Sequence, residues 1–159
     1  MIDSYQNELK WARSNTKKIK VLEKKLSRTG RSDLLINQLH EEVFEEIDCL
    51  KCANCCKTTG PMLRPMDIQR LSKRLKTTEK SFVERYLRVD EDGDHVFNSM
   101  PCPMLGEDNM CSVYEDRPKA CRAYPHTDQK GQLDIFDLSR KNAKICPAVS
   151  RIMQALINL

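Results

Sequence analysis

A small, mainly α-helical domain with irregular loops is the fold class this sequence predicts, and three observations predict it. Residues 2–28 and 33–48 carry apolar positions at steps of three, four or seven, the spacing of a helix face. From Cys49 onward these long periodic runs give way to short elements broken by Pro, Gly and Asn. Eight cysteines are spread over that second stretch, four of them packed into Cys49-Leu-Lys-Cys52-Ala-Asn-Cys55-Cys56. Cys102, Cys111, Cys121 and Cys146 follow at wide intervals, so distant loops must be drawn together by sulfur chemistry. A metal-stabilised cysteine-cluster domain over 49–159, preceded by a helical hairpin over 1–48, is the expected organisation.

In the first helix, Tyr5, Leu9, Ala12, Ile19, Leu22 and Leu26 share one face, with Lys and Arg opposite. Trp11, the only tryptophan, lies off that stripe, where it either widens the buried face or anchors a protein partner. Gly30 suits a left-handed C-terminal cap, and Ser32 can cap the next helix, with Leu35, Leu39, Val43, Phe44 and Ile47 inward. The two helices form an antiparallel hairpin, expected to pack beside the cysteine domain or on the C-terminal helix without supplying a ligand. Pro65 opens a short helix that buries Ile68, Leu71 and Leu75. A further helix over 79–87 buries Phe82, Val83 and Tyr86. Asp92-Gly93, between Leu87-Arg-Val89 and His95-Val-Phe97, signals a short β-hairpin, because its tight turn needs a positive φ. Cys146-Pro147 starts a last helix with Val149, Ile152, Met153 and Leu156 or Ile157 facing the core.

Charge and composition bound the function. No run approaches the roughly eighteen apolar residues of a membrane span, and residues 1–30 hold no apolar signal core, so a cytoplasmic protein is expected. Thiols stay reduced there, and eight cysteines in 159 residues is thinner than the roughly 8–10% of a secreted disulfide scaffold. Residues 1–30 carry eight Lys or Arg against three acids, while 41–48 hold four Glu and an Asp. This asymmetry points to local pairing more than to a nucleic-acid surface, and the Lys-rich face reads first as a solvated helix surface and second as a docking site for an acidic partner.

The chemistry lies in the spacing. In a C-x2-C unit both sulfurs reach one ion while the intervening backbone wraps its N–H groups toward them. Cys49, Cys52 and Cys55 extend this to C-x2-C-x2-C, and Cys102 and Cys146 each precede a proline, which is also the arrangement of a ferredoxin-type iron–sulfur ligand set. Zinc is equally compatible. Adjacent side chains seldom converge, so at most one of Cys55 and Cys56 completes the first site. Eight sulfurs suit two four-thiolate sites or one binuclear cluster, in preference to a single site with spare thiols. Two divalent ions in eight thiolates would leave excess negative charge, and Lys51, Lys57, Arg64, Arg117, Lys119 and Arg122 are placed to offset it. Arg117 and Arg122 are candidates to hydrogen-bond the sulfurs or their neighbours. His126, five residues after Cys121, is a spare ligand, whereas His40 and His95 read as structural or exposed.

The run Cys49-x2-Cys52-x2-Cys55-Cys56, then Cys102-Pro-Met-Leu, then Cys111-Ser-Val-Tyr114-Glu-x-Arg117-Pro118-x2-Cys121-Arg122-x-Tyr124-Pro125, resembles the CxxCxxCC family of zinc- or iron-chelating domains. The likeness covers roughly Cys49 to Cys146 and implies metal chelation by these cysteines. A cluster of similar type occurs in flagellin lysine N-methylases, but this chain is too short for that enzyme's further parts and has no G-x-G-x-x-G loop. The first expectation is therefore a zinc- or iron-chelating module. An iron–sulfur redox or methyl-transfer accessory enzyme is the second, and a zinc-ribbon-like interaction or nucleic-acid-binding module the third. No Ser/His/Asp or Cys/His nucleophile is legible, and eight thiolates in two closed sites leave no open metal position for catalysis.

Overall fold

The computed structural model describes residues 5–159 and is mainly helical, with one small antiparallel sheet. Its contacts divide the chain into a first unit, residues 1–52 and 125–159, and a second, residues 53–124. The division differs from the cut expected after residue 48. The last 35 or so residues return to the N-terminal helices, because their apolar faces cover one another.

In the first unit, helices α1 (Gln6–Ser14), α2 (Thr16–Thr29), α3 (Ser32–Glu46), α4 (Cys49–Cys52), α9 (Phe136–Asn142) and α10 (Pro147–Ile157) surround one core. The single helix expected over 2–28 is broken at Asn15. Its side-chain amide and its backbone N–H both donate to the Trp11 carbonyl at 2.9 Å, the local competition that makes Asn a poor interior helix residue. Leu9, Ala12, Ile19, Leu22 and Leu26 are buried as the periodicity requires. Trp11 is half-buried and packs on the same core, so it widens the apolar stripe.

Gly30 does cap α2 in the left-handed conformation, with φ 63°. Ser32 does not cap α3: the cap position is Arg31, whose N–H is taken by Thr29 Oγ1 at 3.1 Å. The expected face of α3 is largely kept, with Ile47 buried and Phe44 half-buried beside the His40 ring. Ile36 is its fully buried residue, with Leu35, Leu39 and Val43 packed beside it. Helix α10 is the centre of the unit. Val149, Ile152 and Met153 are wholly buried against α1, α2 and α3, each contributing about 1.5–3 kcal/mol by leaving water. Arg151 fastens the arrangement from α10, reaching Glu8 on α1 at 2.9 Å and Glu46 on α3 at 3.0 Å.

The loop ahead of α9 is tied to α3. Asp33 accepts the Gly131 and Gln132 N–H groups at 3.0 and 2.9 Å. Asn37 donates to the Thr127 carbonyl at 3.0 Å, and His40 shares a 2.8 Å hydrogen bond with the Thr127 hydroxyl. His40 is thus structural, as expected.

The second unit holds α5 (Asn54–Thr58), β1 (Met62–Leu63), α6 (Pro65–Arg74), α7 (Glu79–Tyr86), β2 (Leu87–Val89), β3 (His95–Phe97), a 3₁₀ turn over Tyr114–Asp116 and α8 (Lys119–Ala123). The hairpin expected around Asp92-Gly93 is present, with Leu87 opposite Phe97 and Val89 opposite His95, and Gly93 at φ 85°. Strand β1 adds a third, unforeseen strand, pairing Met62 with Val96 in the order β1-β3-β2. Two residues carry no readable alternation. Pro65 stands at the first helical position as its missing N–H suggests, and Thr78 caps α7 by accepting the Ser81 N–H. Leu63, Ile68, Leu71, Phe82, Leu87, Phe97, Met104 and Val113 form this unit's core.

Candidate metal centre

The thiols fall into groups that follow the units. In the first unit, Cys49 opens α4, whose first turn is set by Asp48 accepting the Leu50 N–H, and Cys52 closes it. Cys146 stands one residue before α10, its N–H bonded to the Asn142 carbonyl at 2.7 Å. Burial pushes the Cys146 thiol up to about 12, although the Val149 and Ala148 amides in the first turn of α10 draw it down. Cys49 and Cys52 lie near enough to raise it further. The helix start forecast at Cys146-Pro147 therefore does favour the thiolate, but desolvation outweighs it.

In the second unit, Cys56, Cys102, Cys111 and Cys121 feel one another. Burial raises Cys121 to about 12, and Cys56, Cys102 and Cys111 raise it further. Burial likewise takes Cys102 to about 11, with Cys56 and Cys111 adding to it and the Met104 and Leu105 amides opposing. Cys111 is raised by burial, against the Val113 amide. Cys56 goes the other way, to about 7, because the adjacent Cys55 hydrogen-bonds its sulfur. The backbone fixes these positions: Cys102 N–H donates to the Cys56 carbonyl at 2.8 Å, and Leu105 N–H closes a turn onto the Cys102 carbonyl at 3.0 Å. Leu105 also bridges to Cys111.

One pattern recurs at Cys102, Cys111 and Cys146. Backbone N–H groups two or three residues further on face the sulfur and favour its charged form. Amides so placed would stabilise the thiolate form that zinc or iron requires. Among the described residues no three Cys, His, Asp or Glu side chains are converged tightly enough to hold an ion.

The candidate cations separate. Arg117 lies over the Tyr114 ring, 3.9 Å from its centroid, and its charge lowers both Cys111 and Cys121. Arg122 instead donates to the Glu115 and Arg117 carbonyls and so shapes the loop. His126 belongs to the first unit, at φ 69°, with its carbonyl bonded to Gln132, whereas Cys121 belongs to the second.

Sequence reasoning missed Asp67. It is 2% exposed, yet it accepts the Arg64 N–H at 2.9 Å, the Arg70 guanidinium at 2.8 Å and the Lys119 N–H at 3.1 Å. Burial alone would raise its pKa; these three donors outweigh that and hold the carboxyl below its usual range. Arg70 goes on to the Asp116 and Arg117 carbonyls at 3.1 and 2.9 Å. The pair therefore pins the segment that carries Arg117 and Cys121. The only signal was an acid three residues after Arg64, ahead of an apolar run, a helix-start spacing.

Grouped, amide-wrapped thiols on a mainly helical frame define a small cysteine-cluster protein. The family model CxxCxxCC, described as "Putative zinc- or iron-chelating domain", matches residues 48–147, and the chain belongs to that family. No curated protein and no solved structure matches it.

Proposed function

We propose that this chain is a metal-binding module that holds zinc or iron through cysteine thiolates, in a compartment reducing enough to keep them open. The carrying observation is the set of Cys56, Cys102, Cys111 and Cys121, mutually influencing sulfurs of which Cys102 and Cys111 are wrapped by amides. Four soft donors suit a tetrahedral zinc or iron, while Arg117 offsets their charge. When bound, the ion cross-links loops that the small core of the second unit does not hold by itself. Asp67 and Arg70 position the Cys121 arm, and Cys55 supports Cys56 by hydrogen bonding. No described helix is long and apolar enough to cross a membrane.

Anaerobic purification followed by metal analysis and a visible spectrum tests this reading. Stoichiometric zinc in a colourless sample, or iron with thiolate charge-transfer bands, is the expected result, and acid-labile sulfide would identify an iron–sulfur cluster. Protein that neither carries nor takes up any of these, with its thiols reduced, overturns it.

A further inference from the structure

The C-x2-C-x2-C-C run invites the view that its sulfurs serve one centre. The backbone turns between them. Ala53, between Cys52 and Asn54, is held in the left-handed region at φ 46°, a conformation that non-glycine residues seldom adopt. The chain passes from the first unit to the second at that residue. Downstream, Cys146 packs on the core of the first unit, whereas Cys102 and Cys111 pack on that of the second. The short-range ties in the second unit follow the same line, Cys102 to Cys56 and Leu105 to Cys111, while α4 and Cys146 both belong to the first unit.

We infer that the thiols build two centres of different character. Cys56, Cys102, Cys111 and Cys121 make a closed four-thiolate site for a structural ion, and Cys49, Cys52 and Cys146 make a three-thiolate site that takes an exchangeable thiophilic cation. This inference rests on the reading that the thiols bind metal, and it adds how they divide.

Exposure supports the difference in character. Cys49 is exposed, while Cys52, Cys146 and every cysteine of the second group are half-buried, so the three-thiolate site opens to solvent at its Cys49 corner. Three thiolates leave a tetrahedral ion one position short, which a small thiol from solution can fill. In each binding step a thiol sulfur forms a bond to the cation and its proton goes to buffer. No electron is transferred.

The test uses the full chain, reduced, with cobalt(II) as the probe and its thiolate charge-transfer band as the readout. Wild type is expected to take up about two equivalents. Cys49→Ser, at an exposed position where refolding is not at stake, is expected to remove about one equivalent and leave the other at unchanged affinity. Cys111→Ser is expected to remove the complementary one, with the helical circular dichroism of the first unit retained. Glutathione is expected to shift the spectrum of wild type and of Cys111→Ser but not of Cys49→Ser. Either substitution abolishing all cobalt binding would overturn the division, as would Cys55→Ser emptying the exchangeable centre. Wild type that binds no cobalt would instead overturn the metal-binding reading itself.

Discussion

Replacing Asp67 with Ala should destabilise the second unit by about 3 kcal/mol, measured by denaturant unfolding of the metal-loaded protein, and should speed metal loss. The magnitude comes from what is left behind. Removing the carboxylate leaves the part-buried Arg64 and Lys119 amides without their acceptor, at about 1–2 kcal/mol each. Arg70 adds less, because its side chain is 32% exposed and can turn to water. Asp67→Asn keeps one acceptor oxygen and should lose about half as much. The sign of the pH dependence follows from the depressed pKa. A carboxyl held below its unfolded value of 3.8 stabilises the fold above that pH, and the contribution is lost as pH falls through the lower folded value. Wild type should therefore lose stability on acidification below about pH 4 more steeply than Asp67→Ala does. Equal slopes, or an unchanged midpoint in neutral solution, would show that the Asp67 contacts are incidental.

Asp67 also shows where sequence reasoning stops. Long amphipathic helices were readable because each buried position repeats the same geometric demand, so Ile19, Leu22 and Leu26 on α2 and Ile152, Met153 and Leu156 on α10 are buried where periodicity puts them. Gly30, Gly93, Pro65 and Pro147 were readable because each has a backbone conformation that few other residues adopt as easily. Asn15 was not, since its break of the first helix arises from one side-chain bond to the Trp11 carbonyl, which competes with an otherwise intact apolar stripe. Cysteine spacing announced thiolate chemistry and the family, yet it could not show how the sulfurs divide. The division inferred above rests on Ala53 turning left-handed and on which core each remote loop joins, and both are tertiary facts. Arg117 and Arg122 look alike in sequence, five residues apart. Only their placement makes the first a charge partner of Cys111 and Cys121 and the second a brace for the loop.

Stripping the metal with a chelator under reducing conditions should unfold the second unit while leaving much of the helical signal of the first. The first unit has long helices around α10, with Val149, Ile152 and Met153 fully buried, and these do not depend on sulfur for their packing. The second has a smaller core on α6 and α7, and its cysteines lie outside those two helices, on the five-residue α5 and α8 and on the turns between them. Structural thiolate sites supply about 10 kcal/mol or more to domains of this kind, because the unfolded chain offers no preformed site. Protons mark the same event. With Cys121 and Cys146 pushed to about 12 and Cys102 to about 11, these thiols carry their protons at neutral pH until an ion displaces them. Metal loading should release protons, seen as a dependence of the calorimetric heat on the buffer's ionisation enthalpy, and affinity should rise with pH. The stripped chain has the opposite sensitivity. Cys146, in the unit that survives, has a folded pKa above its unfolded value of 9.0 and contributes its full stability only below that pH, so the surviving structure should weaken further as pH climbs past 9.0, while loaded protein should not. If the stripped protein keeps its near-ultraviolet circular dichroism and its melting temperature, the metal is cargo on a frame that stands without it, and a structural role for the four-thiolate centre is ruled out.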